Sequence, residues 1–553
     1  MLMRLAGGRL IDPAHGVDGQ VRDLYVRDGR IIDEPPDAAV AHTIDVSGRV
    51  VMAGAIDLHT HIGGGKVNLA RLMLPEDHRR VRYERTELTR SSCGHAAPGT
   101  LATGYRYAEM GYTACFEPAM VPINARQTHL ELGDTPIVDK GCYALLGNDD
   151  FFLRMLATGE PQARINDYVA WTLDCTQSIA IKVVNPGGIS AFKFNQRRLD
   201  VDEEHVHYRV TPRRVIQALT RAVHELGVPH GLHVHGCNLG VPGNVDTTLA
   251  TMDAAEGLPI HLTHIQFHSY GTEGDRKFSS AAARIAEAIN ARPNVSADVG
   301  QIMFGQTVTA SGDNMMQYRN SDLGSPRKAV IMDIECDAGC GVVPFRYREQ
   351  SFVNALQWAI GLEIFLSVRD PWRIYLTTDH PNGGPFTTYP HLIRLLTDRS
   401  FRGDMFQKIH PDARAASTLA SLTREYSLYE IAIMTRAGPA RTLGLADRGH
   451  LGAGAAADIV VYREDADRER MFTTPEYVFK DGETIAHDGR LLKITSGSVH
   501  TVKPEYDRSI EAMVADYFER YQTVSASGLR IDRDELCECG SRLIVHECRK
   551  AAR

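Results

Sequence analysis

The chain has 553 residues, too many for one ordinary domain of ~150 residues, although α/β barrels run larger as single units. Its 61 basic and 69 acidic side chains leave a formal charge of −8, without the basic excess that nucleic-acid binding calls for. With 43% hydrophobic and 24% charged residues general disorder is excluded, and no apolar run reaches the ~18 residues that cross a bilayer.

Residues 1–52 read as short strands and turns, among them Asp23–Arg27 and Val50–Met52, and predict the first part of a small β domain. The first residues lack the apolar stretch of a signal peptide, and the ten cysteines are scattered, mostly in apolar segments. Both features suit a reducing cytoplasm.

From residue 53 short apolar runs alternate with longer segments of helical period. Eight strands are predicted: Ala55–His59, Tyr112–Phe116, Cys142–Leu146, Ile179–Val184, Gly231–Val234, Ile260–His264, Val295–Val299 and Ile374–Thr378. Pro212–Leu226 is the clearest amphipathic helix between them. Eight alternating β and α segments predict an α/β fold, a TIM-like (β/α)8 barrel. The intervals 62–110 and 300–372 are too long for simple connections and should build extra structure at the barrel mouth. Turn and strand signals return at Gly449–Tyr462 and Val478–Gly482. The expected organisation is therefore 1–52 and 444–500 forming one β-sandwich, 53–443 the barrel, and 501–553 a polar tail with a helix near Ile510–Tyr521.

The sharpest chemical signal is Asp57-Leu-His-Thr-His61. Residues i and i+2 of a strand share a face, so His59 and His61 send two imidazoles into one space, as a divalent metal requires. Lys182 lies inside the fourth strand, where a charge is costly unless paired or chemically changed. His235, His264 and Asp379 close the fifth, sixth and eighth strands, at the end where barrel enzymes keep their sites. Singly, a buried histidine is more often a satisfied core residue, and Asp379 could cap a helix. Six such residues in strand order point to a metal centre. His233 competes with His235, since both lie on one face of the fifth strand.

The order H-x-H, Lys, His, His, Asp resembles the amidohydrolase superfamily. The segments His61-Ile-Gly-Gly-Gly-Lys-Val-Asn-Leu-Ala-Arg71, Val183-Val-Asn-Pro-Gly-Gly188, His233-Val-His-Gly-Cys-Asn-Leu-Gly-Val-Pro-Gly-Asn244 and His264-Ile-Gln-Phe-His-Ser-Tyr-Gly271 are similar to the amidohydrolase-type subunits shared by formylmethanofuran dehydrogenases and formyltransferase/hydrolase complexes. That resemblance covers nearly the whole chain. It implies two Zn²⁺ ions held by His59, His61, Lys182, His235, His264 and Asp379, with Lys182 carboxylated and bridging them, and with Asp379 as the catalytic proton carrier. Arg71, Asn238, His268 and Tyr270 are its candidate substrate contacts.

The implied reaction is hydrolysis of an N-formyl amine in one-carbon metabolism. The carrier is methylofuran or methanofuran, and the partners are the other subunits of the complex. Formate condensation at the same site, opening of a cyclic amide as in hydantoinases and dihydropyrimidinases, and a non-catalytic scaffold are the alternatives. The Arg- and Ala-rich composition inclines toward a bacterial hydrolase. Arg79, Arg80, Arg82, Arg85 and Arg90, with His78, suit either a carboxylate-rich tail or a solvated surface, because acidic residues are interleaved. Cys537, Cys539, His546 and Cys548 do not follow a standard zinc spacing and read as incidental, and Cys336 and Cys340 as structural.

Overall fold

The computed structural model describes residues 2–35, 40–196, 199–310, 330–334 and 338–548. Cys336 lies outside them.

Eight parallel strands follow one another in chain order: β1 (Ala55–Asp57), β2 (Tyr112–Met120), β3 (Asp139–Leu145), β4 (Ala180–Val184), β5 (Leu232–His235), β6 (Ile260–Leu262), β7 (Val295–Asp298) and β8 (Ile374–Tyr375). Just past the strand ends, a parallel bridge between Thr60 and His380 joins the first to the last. The predicted α/β barrel is therefore present. Its strands are covered on both faces, so they read as continuous apolar runs rather than alternating ones. All nine residues of β2 are buried.

The helix Pro212–Leu226 keeps its predicted bounds for local reasons. Thr211 accepts the Arg214 N–H at its start, proline stands in its first turn, and Gly227 ends it at φ 70. Its buried stripe, Val215, Ile216, Leu219, Ala222, Val223 and Leu226, packs on the barrel core. Each Val, Ile or Leu among them contributes ~1.5–3 kcal/mol by burial, and Leu219→Ala would cost ~2–5 kcal/mol.

Strands from residues 2–53 and 459–491 meet in a separate nine-stranded sheet. The seam is an antiparallel pair, Arg49–Ala53 against Ile459–Arg463. Leu5, Leu10, Val26, Val51, Val461 and Phe479 form its own core. The two long insertions also meet: Ala70, Leu74, Ala96 and Ala97 from the first bury Val308 from the second.

The C-terminal segment differs from the expected polar extension. Its helix, Ser509–Tyr521, is present, but Ser498–Val502 and Arg542–His546 pair in parallel and add to the barrel sheet beside β3. Arg542–His546 is short and only partly buried, so it carries little apolar signal. A buried ion cluster ties these parts together. Asp139, at the start of β3, receives Arg448 Nε at 2.7 Å and Lys480 Nζ at 3.1 Å. Asp458 receives the same lysine at 3.0 Å.

Candidate metal centre

The strand register lays out the site. Lys182 on β4 lies beside His233 on β5, which lies beside His261 on β6, and Val184 lies beside His235. His59, His61, His264 and Asp379 follow the ends of β1, β6 and β8. All seven of Lys182, His59, His61, His233, His261, His264 and Asp379 are buried.

Asp379 is the meeting point. Its Oδ1 lies 2.9 Å from His59 Nε2 and 3.3 Å from His61 Nε2. His264 stands edge-on to His59, with ring centres 5.6 Å apart, and edge-on to His235, at 4.6 Å. The ligating atoms of His59, His264 and Asp379 all lie within 4.8 Å of one another, as do those of His235, His264 and His268. His264 and Asp379 turn the chain at positive φ, 37° and 51°. Gly300 makes room behind His264: a Cβ there would sit 2.3 Å from His264 Cβ.

The electrostatics fit ligands. Burial would raise Asp379, but His264 and His59 outweigh it and hold the carboxyl well below the usual range, so it stays ionised. Burial lowers Lys182 to about 8, against an opposing pull from Asp379. Burial likewise pushes His235 and His264 down, toward the neutral form that ligates a metal. His264 Nδ1 is buried with no hydrogen-bond partner, a cost that an ion would relieve. This donor set, imidazoles and a carboxylate around a buried lysine, suits two divalent ions.

The structure thus brings together five predicted residues, His59, His61, His235, His264 and Asp379, and adds His268. The polar atoms of three others are engaged elsewhere. Arg71 donates to Ile62 O, Pro98 O, Asn68 and Glu131, which clasps the loop after His61. Tyr270 is fully buried, its hydroxyl 2.9 Å from Gln357 Nε2. Asn238 Nδ2 reaches Thr247 at 3.2 Å. His233 belongs to a lower group with His59 and Asp298. Arg79, Arg80, Arg82, Arg85 and Arg90 are exposed. In the tail, Cys537 and Cys539 are exposed and His546 turns to His500 at 2.8 Å; no metal-capable group among the described residues includes these cysteines.

Two residues escaped the sequence reading. Glu117 on β2 accepts His61 Nδ1 at 3.0 Å. Asp298 on β7 accepts the His264 N–H at 3.0 Å, Thr377 Oγ1 at 2.7 Å and His261 Nε2 at 3.1 Å. The signal for both was available: an acidic residue inside an otherwise apolar strand must be partnered.

Comparison with known proteins gives the family. A model described as "Amidohydrolase family" matches residues 42–486. The chain belongs to the amidohydrolase family. It is 44% identical over 524 residues to a subunit of the formyltransferase/hydrolase complex Fhc of Methylorubrum extorquens, covering 94% of each chain. It is 40% identical over 544 residues to protein FwdA of Methanocaldococcus jannaschii, covering 94% of this chain and 95% of that one. A chain of the crystal structure of the formyltransferase/hydrolase complex FhcABCD from Methylorubrum extorquens, in complex with methylofuran, superposes with a TM-score of 0.93 at 42% identity. That match covers 99% of this amidohydrolase and 100% of its counterpart. No described helix of the amidohydrolase is long and apolar enough to cross a membrane.

Proposed function

We propose that the chain hydrolyses a linear N-formyl amine, formyl-methylofuran or its methanofuran counterpart, as one subunit of a formyltransferase/hydrolase complex. The observation that carries this reading is the convergence of His59, His61, His235, His264 and Asp379 beside buried Lys182. The chain that carries this site is 44% identical to an Fhc subunit over 94% of its length.

In this reading His59, His61, His235, His264 and Asp379, with Lys182 as the carbamate that CO₂ would form on its amine, would hold two Zn²⁺ ions. Such ions would supply a lowered water pKa and a Lewis acid for the formyl oxygen. The remaining steps belong to the chain's own residues. The ionised Asp379 carboxylate accepts a proton from the attacking water. It returns that proton to the amine nitrogen as the C–N bond breaks, leaving formate and the free amine. Neutral His235 and His264 contribute lone pairs without competing for the proton.

The test is metal content and formate release measured together, on the chain in its complex, with formyl-methylofuran as substrate. About two zincs per chain with formate release supports the proposal. Metal without formate release, but with opening of a hydantoin or dihydropyrimidine, would replace it with a cyclic amidase. Neither metal nor release would leave a scaffold.

A further inference from the structure

Beneath the metal centre three buried imidazoles stand in a line. His59 Nδ1 lies 2.8 Å from His233 Nε2. His233 Nδ1 lies 2.9 Å from His230 Nε2. His230 Nδ1 lies 3.2 Å from the backbone oxygen of Thr442, in the helix Gly438–Leu443. All three rings have no exposed surface.

The far end fixes the direction of every proton in this line. A carbonyl oxygen only accepts, so His230 Nδ1 carries its hydrogen. Burial pushes His230 down to about 3, so the ring is neutral and its Nε2 is an acceptor. His233 must then donate from Nδ1, which leaves its Nε2 as an acceptor. His59 must donate from Nδ1, so Nε2 is the nitrogen it can offer to a metal. That Nε2 is the atom 2.9 Å from Asp379 Oδ1. Thr263 Oγ1 also touches His59 Nδ1, and Asp298 Oδ2 lies 3.5 Å from it. A hydroxyl serves either way and so imposes no direction, while the carboxylate favours the same Nδ1–H.

We infer that His230 and His233 are positioning residues: a one-way chain of hydrogen bonds, anchored on Thr442 O, locks His59 in the tautomer that presents Nε2 to a metal. This rests on the reading of His59 as a ligand. Reversal of the chain would place the hydrogen on His59 Nε2 and block coordination. It also assigns His233 a role other than ligand, since both its nitrogens are spoken for.

The test compares His230→Gln with His230→Phe in the full-length chain within its complex. Gln offers a carbonyl oxygen to His233 Nδ1–H, whereas Phe keeps a ring of similar volume but accepts nothing. The readouts are the zinc dissociation constant by chelator competition and the visible spectrum of the cobalt-loaded protein. H230F should weaken metal binding 10–100-fold and alter the cobalt bands, while H230Q recovers most of the affinity. Metal retention by H230F equal to or better than H230Q would show that the site needs only packing, and would overturn the inference. If H230F does not fold, His230→Met, which fills irregular space, takes its place with the same two outcomes. A wild-type chain that binds no metal would fail the ligand assignment itself, and is thereby told apart from failure of the relay alone.

Discussion

Glu117 grips two sides of one turn around His61. Its Oε1 meets His61 Nδ1 at 3.0 Å, and its Oε2 accepts the N–H of Ile62 at 2.7 Å and of Gly63 at 3.1 Å. Burial would raise this carboxyl, but His61 outweighs it and keeps it lowered and ionised. Glu117→Gln replaces one acceptor oxygen by a donor, so either the ring or the turn loses its partner. We expect a 10–100-fold loss in metal affinity or activity with little change in thermal stability. Chelator competition on purified E117Q checks this; unchanged zinc retention would count against it.

Lys182→Ala should lose metal and formate release together, because the proposed bridge disappears. The metal count of the purified variant, set beside its activity, is the measurement. A fully active K182A would sink the binuclear arrangement.

Gly300→Ala tests the space behind His264. The residue sits at φ 62, and its new Cβ would stand 2.3 Å from His264 Cβ and 2.7 Å from its Cα. Backbone strain of ~1–3 kcal/mol is expected, and the His264 backbone that carries the imidazole must shift to admit the new Cβ. Metal affinity should therefore fall more steeply than the denaturation midpoint, which paired titrations would reveal.

Asp139 gives a pH prediction. Burial would raise its carboxyl, but Lys480 and Arg448 outweigh that and hold it well below the ordinary value of ~3.9. A group depressed in the fold contributes stability that is present above its unfolded pKa and is lost as pH falls through its folded one. The contribution is thus complete at neutral pH and drains away below about pH 4. Asp139→Asn, which strands buried cations, should cost ~3–5 kcal/mol at pH 7. Urea unfolding of both proteins at pH 7 and pH 3 would show the gap between them narrowing in acid.

The barrel was legible because β2 and its neighbours are buried on both faces and announce themselves as apolar runs. The ligand candidates were legible because they close those runs. Glu117 and Asp298 were passed over for the opposite reason: each hides within a strand, and its partner lies on a different strand far along the chain. Arg71 misled in the same way, since its acceptors, Pro98 O and Glu131, lie 27 and 60 residues away. The strand Arg542–His546 gave no signal because pairing with Ser498–Val502, rather than its own pattern, makes it a strand.

The Thr60–His380 bridge and the His61 N–H to His380 O bond of 2.8 Å join chain segments 320 residues apart, beside His59, His61 and Asp379. The seam of the barrel and the seat of the ions are therefore one place. An ion held between His61 and Asp379 would act as a rivet across that seam, so removing it should speed deuterium uptake first at Thr60 and His61 and leave β3 to β6 sealed.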